Sequence, residues 1–307
     1  MFTLTSILVD IDAVATDHPA LDQAVGLAAH CAAHVKIVDV LPWVPPNARH
    51  FVTAALEAEL VDHRQTRLKL IAESVKDVPV TAALLRGRPG TALTQEVLRA
   101  GHDLLVRSHG RDLATSPRPF GAIDMELLRQ CPCPVWLVGH HGSQGRPWRI
   151  LAAIHPNPSD TTEQRLNATI LEFALMLKAL GGAELTVLQA WSAFGAALLR
   201  SRMSPEEFVE FLEAARRDAE QAMSAFAGPF RDRLTDVTVE SVQGEPEEVI
   251  AQFVESHGID LVVMGTVART GIGGLLMGNT AERVLQRLRG SVLAIKPLEF
   301  ESPVART

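Results

Sequence analysis

Between residues 265 and 280 the chain carries a run of glycines and small polar residues: Gly265-Thr266-Val267-Ala268-Arg269-Thr270-Gly271-Ile272-Gly273-Gly274, then Gly278-Asn279-Thr280. Glycines let backbone N–H groups approach phosphate oxygens, and a helix opening at Gly278-Asn279-Thr280 would add free donors and a favourable dipole. A phosphate cradle is one reading of these residues. The other is purely structural: a loop that needs positive φ, followed by a helix capped by Asn279 or Thr280. The two best-known phosphate loops are absent, since no G-x-x-x-x-G-K-[ST] occurs and no G-x-G-x-x-G joins a first strand to its helix. No nucleophile elbow is present either. His109 reads as an exposed loop histidine rather than an acid or base, and Asp10 and Asp12 alternate along a strand rather than forming a catalytic pair.

The elements that must position this loop occur twice. A constant offset of 157 residues carries Gly87-Arg88-Pro89 onto Gly244-Glu245-Pro246, Asp103 onto Asp260, Gly121 onto Gly278 and Val135-Trp136-Leu137-Val138 onto Val292-Leu293-Ala294-Ile295. One domain has been duplicated. In both copies short aliphatic runs alternate with helical patterns, which predicts an α/β fold: two tandem Rossmann-like domains, each a five-stranded parallel sheet with helices on both faces. Helices are expected over residues 19–33, 48–76, 91–100 and 124–130 in the first copy, and over 163–180, from Ser204-Pro205-Glu206-Glu207, 246–256 and 280–288 in the second. The Gly- and Pro-bearing stretch between the copies is a linker, giving a first domain at 1–140, a linker at 141–148 and a second domain at 149–300. Ligands of such sheets sit beyond the carboxyl ends of the strands.

Composition excludes several classes of function. The 307 residues carry a net charge of −7 with no basic stripe, so neither nucleic acid nor an anionic membrane is an expected partner. The amino terminus reads as a first strand rather than a signal, and the longest apolar stretch is too short to span a bilayer, so the expected location is cytoplasmic. Three cysteines, Cys31, Cys131 and Cys133, make no disulfide framework, and the tight Cys131-Pro132-Cys133 spacing argues against a metal site.

Taken together, these residues resemble the universal stress proteins, particularly the tandem E-type members. The resemblance lies in residues 265–272, in Gly278-Asn279-Thr280-Ala281-Glu282, in Ile295-Lys296-Pro297, and in Leu127-Leu128-Arg129-Gln130-Cys131-Pro132 with Pro134-Val135-Trp136. It implies a strand order of 3-2-1-4-5 in each domain. The family's ATP-binding frame, Gly-x-x-Gly, nine residues, then Gly-Ser or Gly-Thr, falls here on Gly265, Thr266, Ala268, Arg269, Gly278, Asn279 and Thr280, with His155 near the place of the family's aspartate. Ala268 replaces the second glycine and Asn279 the hydroxyl residue. In the first copy that loop has degenerated, although Asp12 matches the family's acid, so its site could take another small ligand.

The resemblance implies a stress-resistance protein with an ATP site in the second domain, Mg²⁺ accompanying the nucleotide, and at most slow hydrolysis. The alternative is a nucleotide-independent scaffold or small-ligand carrier. The last strand of each copy is an apolar edge in that order, so the two domains are expected to join through these strands as a pseudo-dimer, with homodimerisation of the chain and an unknown protein partner beyond it.

Overall fold

In the computed structural model, residues 3–42, 53–109, 120–139, 146–157, 159–266 and 277–305 are described. The first copy folds as β1 (Ser6–Asp10), α1 (Pro19–Cys31), β2 (His34–Pro42), α2 (Ala54–Ser74), β3 (Val80–Gly87), α3 (Pro89–Ala100), β4 (Leu104–Ser108), α4 (Ala122–Gln130) and β5 (Val135–Val138). The second follows with β6 (Arg149–Ile154), α5 (Thr161–Gly181), β7 (Glu184–Trp191), the single turn α6 (Ala196–Leu199), α7 (Pro205–Ala227), β8 (Thr238–Gln243), α8 (Pro246–His257), β9 (Leu261–Gly265), α9 (Asn279–Arg287) and β10 (Ser291–Ile295).

The chain divides into two compact units. One holds Met1–Gly142, Gly271–Met277 and Arg289–Thr307; the other holds Ser143–Thr270 and Gly278–Leu288. In the first unit β3, β2, β1, β4 and β5 lie side by side in that order and all parallel. Every residue of β1 and β5 is buried, because helices cover both faces of the sheet. β10 also belongs to this unit and pairs antiparallel with β5, Leu293 lying opposite Trp136. The five parallel strands of the first copy are the expected ones in the expected order, and β10 adds an antiparallel strand beside β5. A short strand with no polar side chain after Ser291 is buried along its whole length only if its neighbour's edge is taken up too. In the second unit the order is β8, β7, β6, β9, again parallel.

The repeated residues are explained by this architecture. Gly87 ends β3 and Gly244 follows β8, at φ of +125° and +150°, a region that L side chains rarely adopt, and Pro89 and Pro246 then open the following helices. A Cβ on Gly244 would also stand 2.7 Å from Val249 Cγ2. The repeated aspartates hold the entry to the first strand of their own unit. Asp103 Oδ2 accepts from the Thr5 and Ser6 amides at 2.8 and 3.0 Å, and Asp260 Oδ2 from the Arg149 amide at 2.8 Å.

Helix boundaries follow local chemistry. Thr53 caps α2 by accepting from the Leu56 amide at 3.2 Å, which starts the helix at Ala54 rather than Ala48. Ser204 caps α7 as expected, and Glu207 completes a capping box with it. Among the described residues no helix is long and apolar enough to cross a membrane.

Candidate functional site

In the second unit the carboxyl ends of β6, β7 and β9 open onto a cavity of about 750 Å³. His155, Gly265, Gly278, Asn279 and Thr280, five of the positions picked out in the sequence, line it. Its volume lies within the range of small-molecule sites.

Each wall has a local cause. The chain leaving β6 is fixed by Asn167, a buried residue of α5: its Nδ2 donates to the His155 carbonyl at 2.7 Å and its Oδ1 accepts from the His155 amide at 3.1 Å. That clamp turns the His155 side chain, 41% exposed, toward Glu163, with Nε2 and Oε1 4.0 Å apart. Glu163 sits in the first turn of α5, whose Asp160 cap accepts from the Thr162 and Glu163 amides. On the opposite side α7 presents Ala215, Ala219 and Ala222, spaced so that small side chains share one face and leave room. Gln189 on β7 is buried and accepts from Ser241 Oγ at 3.3 Å.

The start of α9 departs from the reading in which Asn279 or Thr280 caps the helix. Gly278 is the residue before the helix, and its N–H donates to the Thr266 carbonyl at 2.9 Å, so that amide is already used. Neither Asn279 nor Thr280 caps the helix, because both lie inside its first turn. Both residues line the cavity, and the first turn of α9, whose amides have no intrahelical acceptor, lies at its wall. Glu247 on α8 anchors the helix through Arg283 at 2.9 Å. The carboxylate lies below its ordinary pKa because its own backbone amide and the Arg283 guanidinium favour the charged form.

Gly265 has a packing role: a Cβ there would stand 2.8 Å from Leu166 Cδ2, so the missing side chain lets α5 approach β9. Thr266 is buried at 1% exposure, outside the cavity lining, and its Oγ1 has no hydrogen-bond partner among the described residues. Ala268 and Arg269 lie outside the described residues.

The corresponding strand ends of the first unit are occupied by arginines. Arg64 of α2 pairs with Asp39 and reaches Asp12 at 3.5 Å, while Arg67 Nε donates to the Ala13 carbonyl at 3.2 Å. Arg107 of β4 bridges Asp10 and Asp124, the latter at 2.9 Å. Asp12, the acid that matches the family's, is half-exposed and lies 3.5 Å from Arg64. His109 corrects an expectation. It is buried, with Nε2 3.2 Å from the Gly290 carbonyl and its ring 4.7 Å from that of Phe120. No group of three or more potential metal ligands exists among the described residues.

The sequence profile of the universal stress protein family matches residues 3–139 and 158–296, covering both copies. The chain belongs to the universal stress protein family. As a tandem member it is similar to Universal stress protein E of Escherichia coli K12, with 27% identity over 97% of this chain and 96% of that one. Universal stress protein E of Photorhabdus laumondii is 25% identical over 99% and 98%. Among solved structures, a functionally unknown protein from Pseudomonas aeruginosa PAO1 superposes with a TM-score of 0.70 at 26% identity, covering 96% of this chain and 94% of that one. A universal stress protein from Archaeoglobus fulgidus shares the fold, with a TM-score of 0.62 at 14% identity over 96% and 99%.

Sequence reasoning missed Asn167, Glu163 and the alanine face of α7. The signal for Asn167 was present: an amide among Leu166, Ile170 and Leu171 on the buried side of a helix must be satisfied by something specific.

Proposed function

We propose that this universal stress protein is a non-catalytic, stress-linked sensor whose second unit holds an adenine nucleotide in the cavity at the ends of β6, β7 and β9. The observation carrying this reading is that the amino-terminal turn of α9, with Asn279 and Thr280, forms part of the wall of a cavity large enough for such a ligand. In that pose the phosphates face the first-turn amides of α9, and the nucleoside lies between the alanines of α7 and the apolar side chains of Ile170 and Ile250. The acids lining the cavity, Glu163, Asp218 and Glu245, suit hydroxyls or a divalent cation such as Mg²⁺ better than bare phosphate.

One observation favours the second reading, a carrier of a small uncharged ligand. Among the described lining residues there is no lysine or arginine. Among these residues phosphate would be met by helix amides and a cation.

Calorimetry separates the two. ATP, with and without Mg²⁺, and adenosine are titrated into the full chain and into Thr280→Glu. A carboxylate at the second position of α9 favours the helix dipole but repels phosphate. Under the nucleotide reading the variant folds normally, ATP weakens by about tenfold or more, and adenosine changes little. Equal binding of ATP and adenosine, or none of either, moves the reading to the carrier. Absorbance at 260 nm of freshly purified protein gives an independent test through retained nucleotide.

A further inference from the structure

Cys131 closes α4 and Cys133 leads into β5, with Pro132 between them, and their sulfurs lie 3.5 Å apart. Both are buried, Cys131 at 0% and Cys133 at 9% exposure. The same unit buries Lys296, immediately after β10, at 6% exposure. Its Nζ has no hydrogen-bond partner among the described residues and lies 5.1 Å from the centre of the Phe300 ring. A buried ammonium without a hydrogen-bonded partner is costly. The charges that favour it are those of the two sulfurs. A lysine in that position makes physical sense when one sulfur is a thiolate, and its positive charge opposes capture of a metal ion by the pair.

We propose that Cys131, Cys133 and Lys296 form an oxidation site at which a small hydroperoxide, hydrogen peroxide or a short alkyl hydroperoxide, converts the two thiols into a disulfide. Burial raises the pKa of both thiols. For Cys131 the Cys133 hydrogen bond and the Lys296 charge outweigh burial and bring it below the ordinary value, whereas burial and the neighbouring Cys131 push Cys133 well up. Burial likewise lowers Lys296, against the attraction of the two sulfurs. Cys131 is therefore the nucleophile and Cys133 the resolving thiol.

In the first step the Cys131 thiolate attacks one peroxide oxygen and the O–O bond breaks. The sulfur becomes a sulfenic acid, and the departing hydroxide, or the alkoxide of an alkyl hydroperoxide, takes a proton from Lys296 to leave as water or as an alcohol. The neutral Lys296 amine then accepts the Cys133 proton, and the Cys133 thiolate attacks the sulfenic sulfur. The S–O bond breaks, the S–S bond forms, and the second hydroxide takes that proton from Lys296 and leaves as water. Two electrons pass from two sulfurs to one peroxide, and Lys296 ends neutral, as its burial favours. The sulfurs must close from 3.5 Å to about 2.05 Å.

The test treats the native full chain with a stoichiometric amount of hydrogen peroxide. The expected result is loss of two of the three thiols, a mass decrease of about 2 Da, a Cys131–Cys133 link in the peptide map, and full reversal by dithiothreitol. Cys133→Ser should trap Cys131 as a sulfenic acid that a dimedone probe labels, and Cys31→Ser should react as wild type. Lys296→Met should slow oxidation by about tenfold or more at neutral pH, and Lys296→Arg, which keeps the charge but cannot give up its proton, should also be slower than wild type. Should Lys296→Met fail to fold, the pH dependence of the wild-type rate serves instead: a midpoint below the ordinary thiol value of 9.0 supports the site. A native chain that keeps all three thiols, a link through Cys31, an unchanged rate in a folded Lys296→Met, or a midpoint at or above 9.0 overturns it.

Discussion

Asn167 grips both backbone polar groups of His155, donating from Nδ2 to the carbonyl and accepting at Oδ1 from the amide. A side chain on α5 thereby sets the direction in which the chain leaves β6 and where His155 meets the cavity. Asn167→Leu keeps the size and removes both bonds. It should cost about 1–3 kcal/mol in urea unfolding and weaken any ligand of the cavity, whereas Leu166→Ala should cost stability through packing alone.

Arg107 lies between the buried carboxylates of Asp10 and Asp124. Arg107→Met should lose about 3–5 kcal/mol, because two carboxylates are then left facing each other without a cation. Adding Asp10→Asn and Asp124→Asn to that variant should recover part of the loss in the same unfolding assay. A loss no larger in Arg107→Met than in the triple variant would mean the arginine acts through packing.

His102 is buried with Nδ1 2.6 Å from Ser6 Oγ and Nε2 3.7 Å from Glu96, while His34, Lys36 and Arg99 complete the charged surroundings. Burial lowers its pKa below the ordinary 6.5, opposed by Glu96 and assisted by Lys36 and His34. The fold prefers the neutral ring, so the unfolded chain binds more protons as acidity rises. This contribution to stability is fully present above pH 6.5 and is lost as pH falls below it. Urea midpoints should fall between pH 7.5 and pH 5.5 for wild type and fall less for His102→Asn.

Gly244 combines positive φ with a steric conflict, while Gly101, at φ +68°, has nothing within 4 Å of a Cβ. Gly244→Ala should therefore cost more than Gly101→Ala, about 2–3 against about 1 kcal/mol, read from thermal or urea midpoints. Equal losses would mean that β8 and α8 adjust freely around the added methyl.

Filling the cavity is the complementary change. Ala219→Leu adds three carbons to the alanine face of α7 and should weaken a ligand by about tenfold or more while leaving the far-UV spectrum unaltered. Undiminished binding would exclude this cavity as the site.

Much of the fold was legible because its signals are local. The aliphatic runs, the Gly-x-Pro turns at residues 87–89 and 244–246, the Ser204-Pro205 helix start and the constant offset between copies determined two α/β halves and their element order. Each rests on backbone conformation or on which side chains suit burial on two faces, and neither needs a distant partner to be recognised. The chemistry of the loop ends depended on partners far apart in the chain. Only the folded molecule brings Arg64 onto Asp39 and near Asp12, turns His109 inward against Phe120, and sets Lys296 within electrostatic reach of two cysteines more than 160 residues earlier. The tertiary structure also assigned Gly265 to helix packing and the Gly278 amide to Thr266, roles that a glycine's freedom allows but its letter cannot announce. Charge compensation and close approach are properties of pairs, and the pair is chosen by the fold.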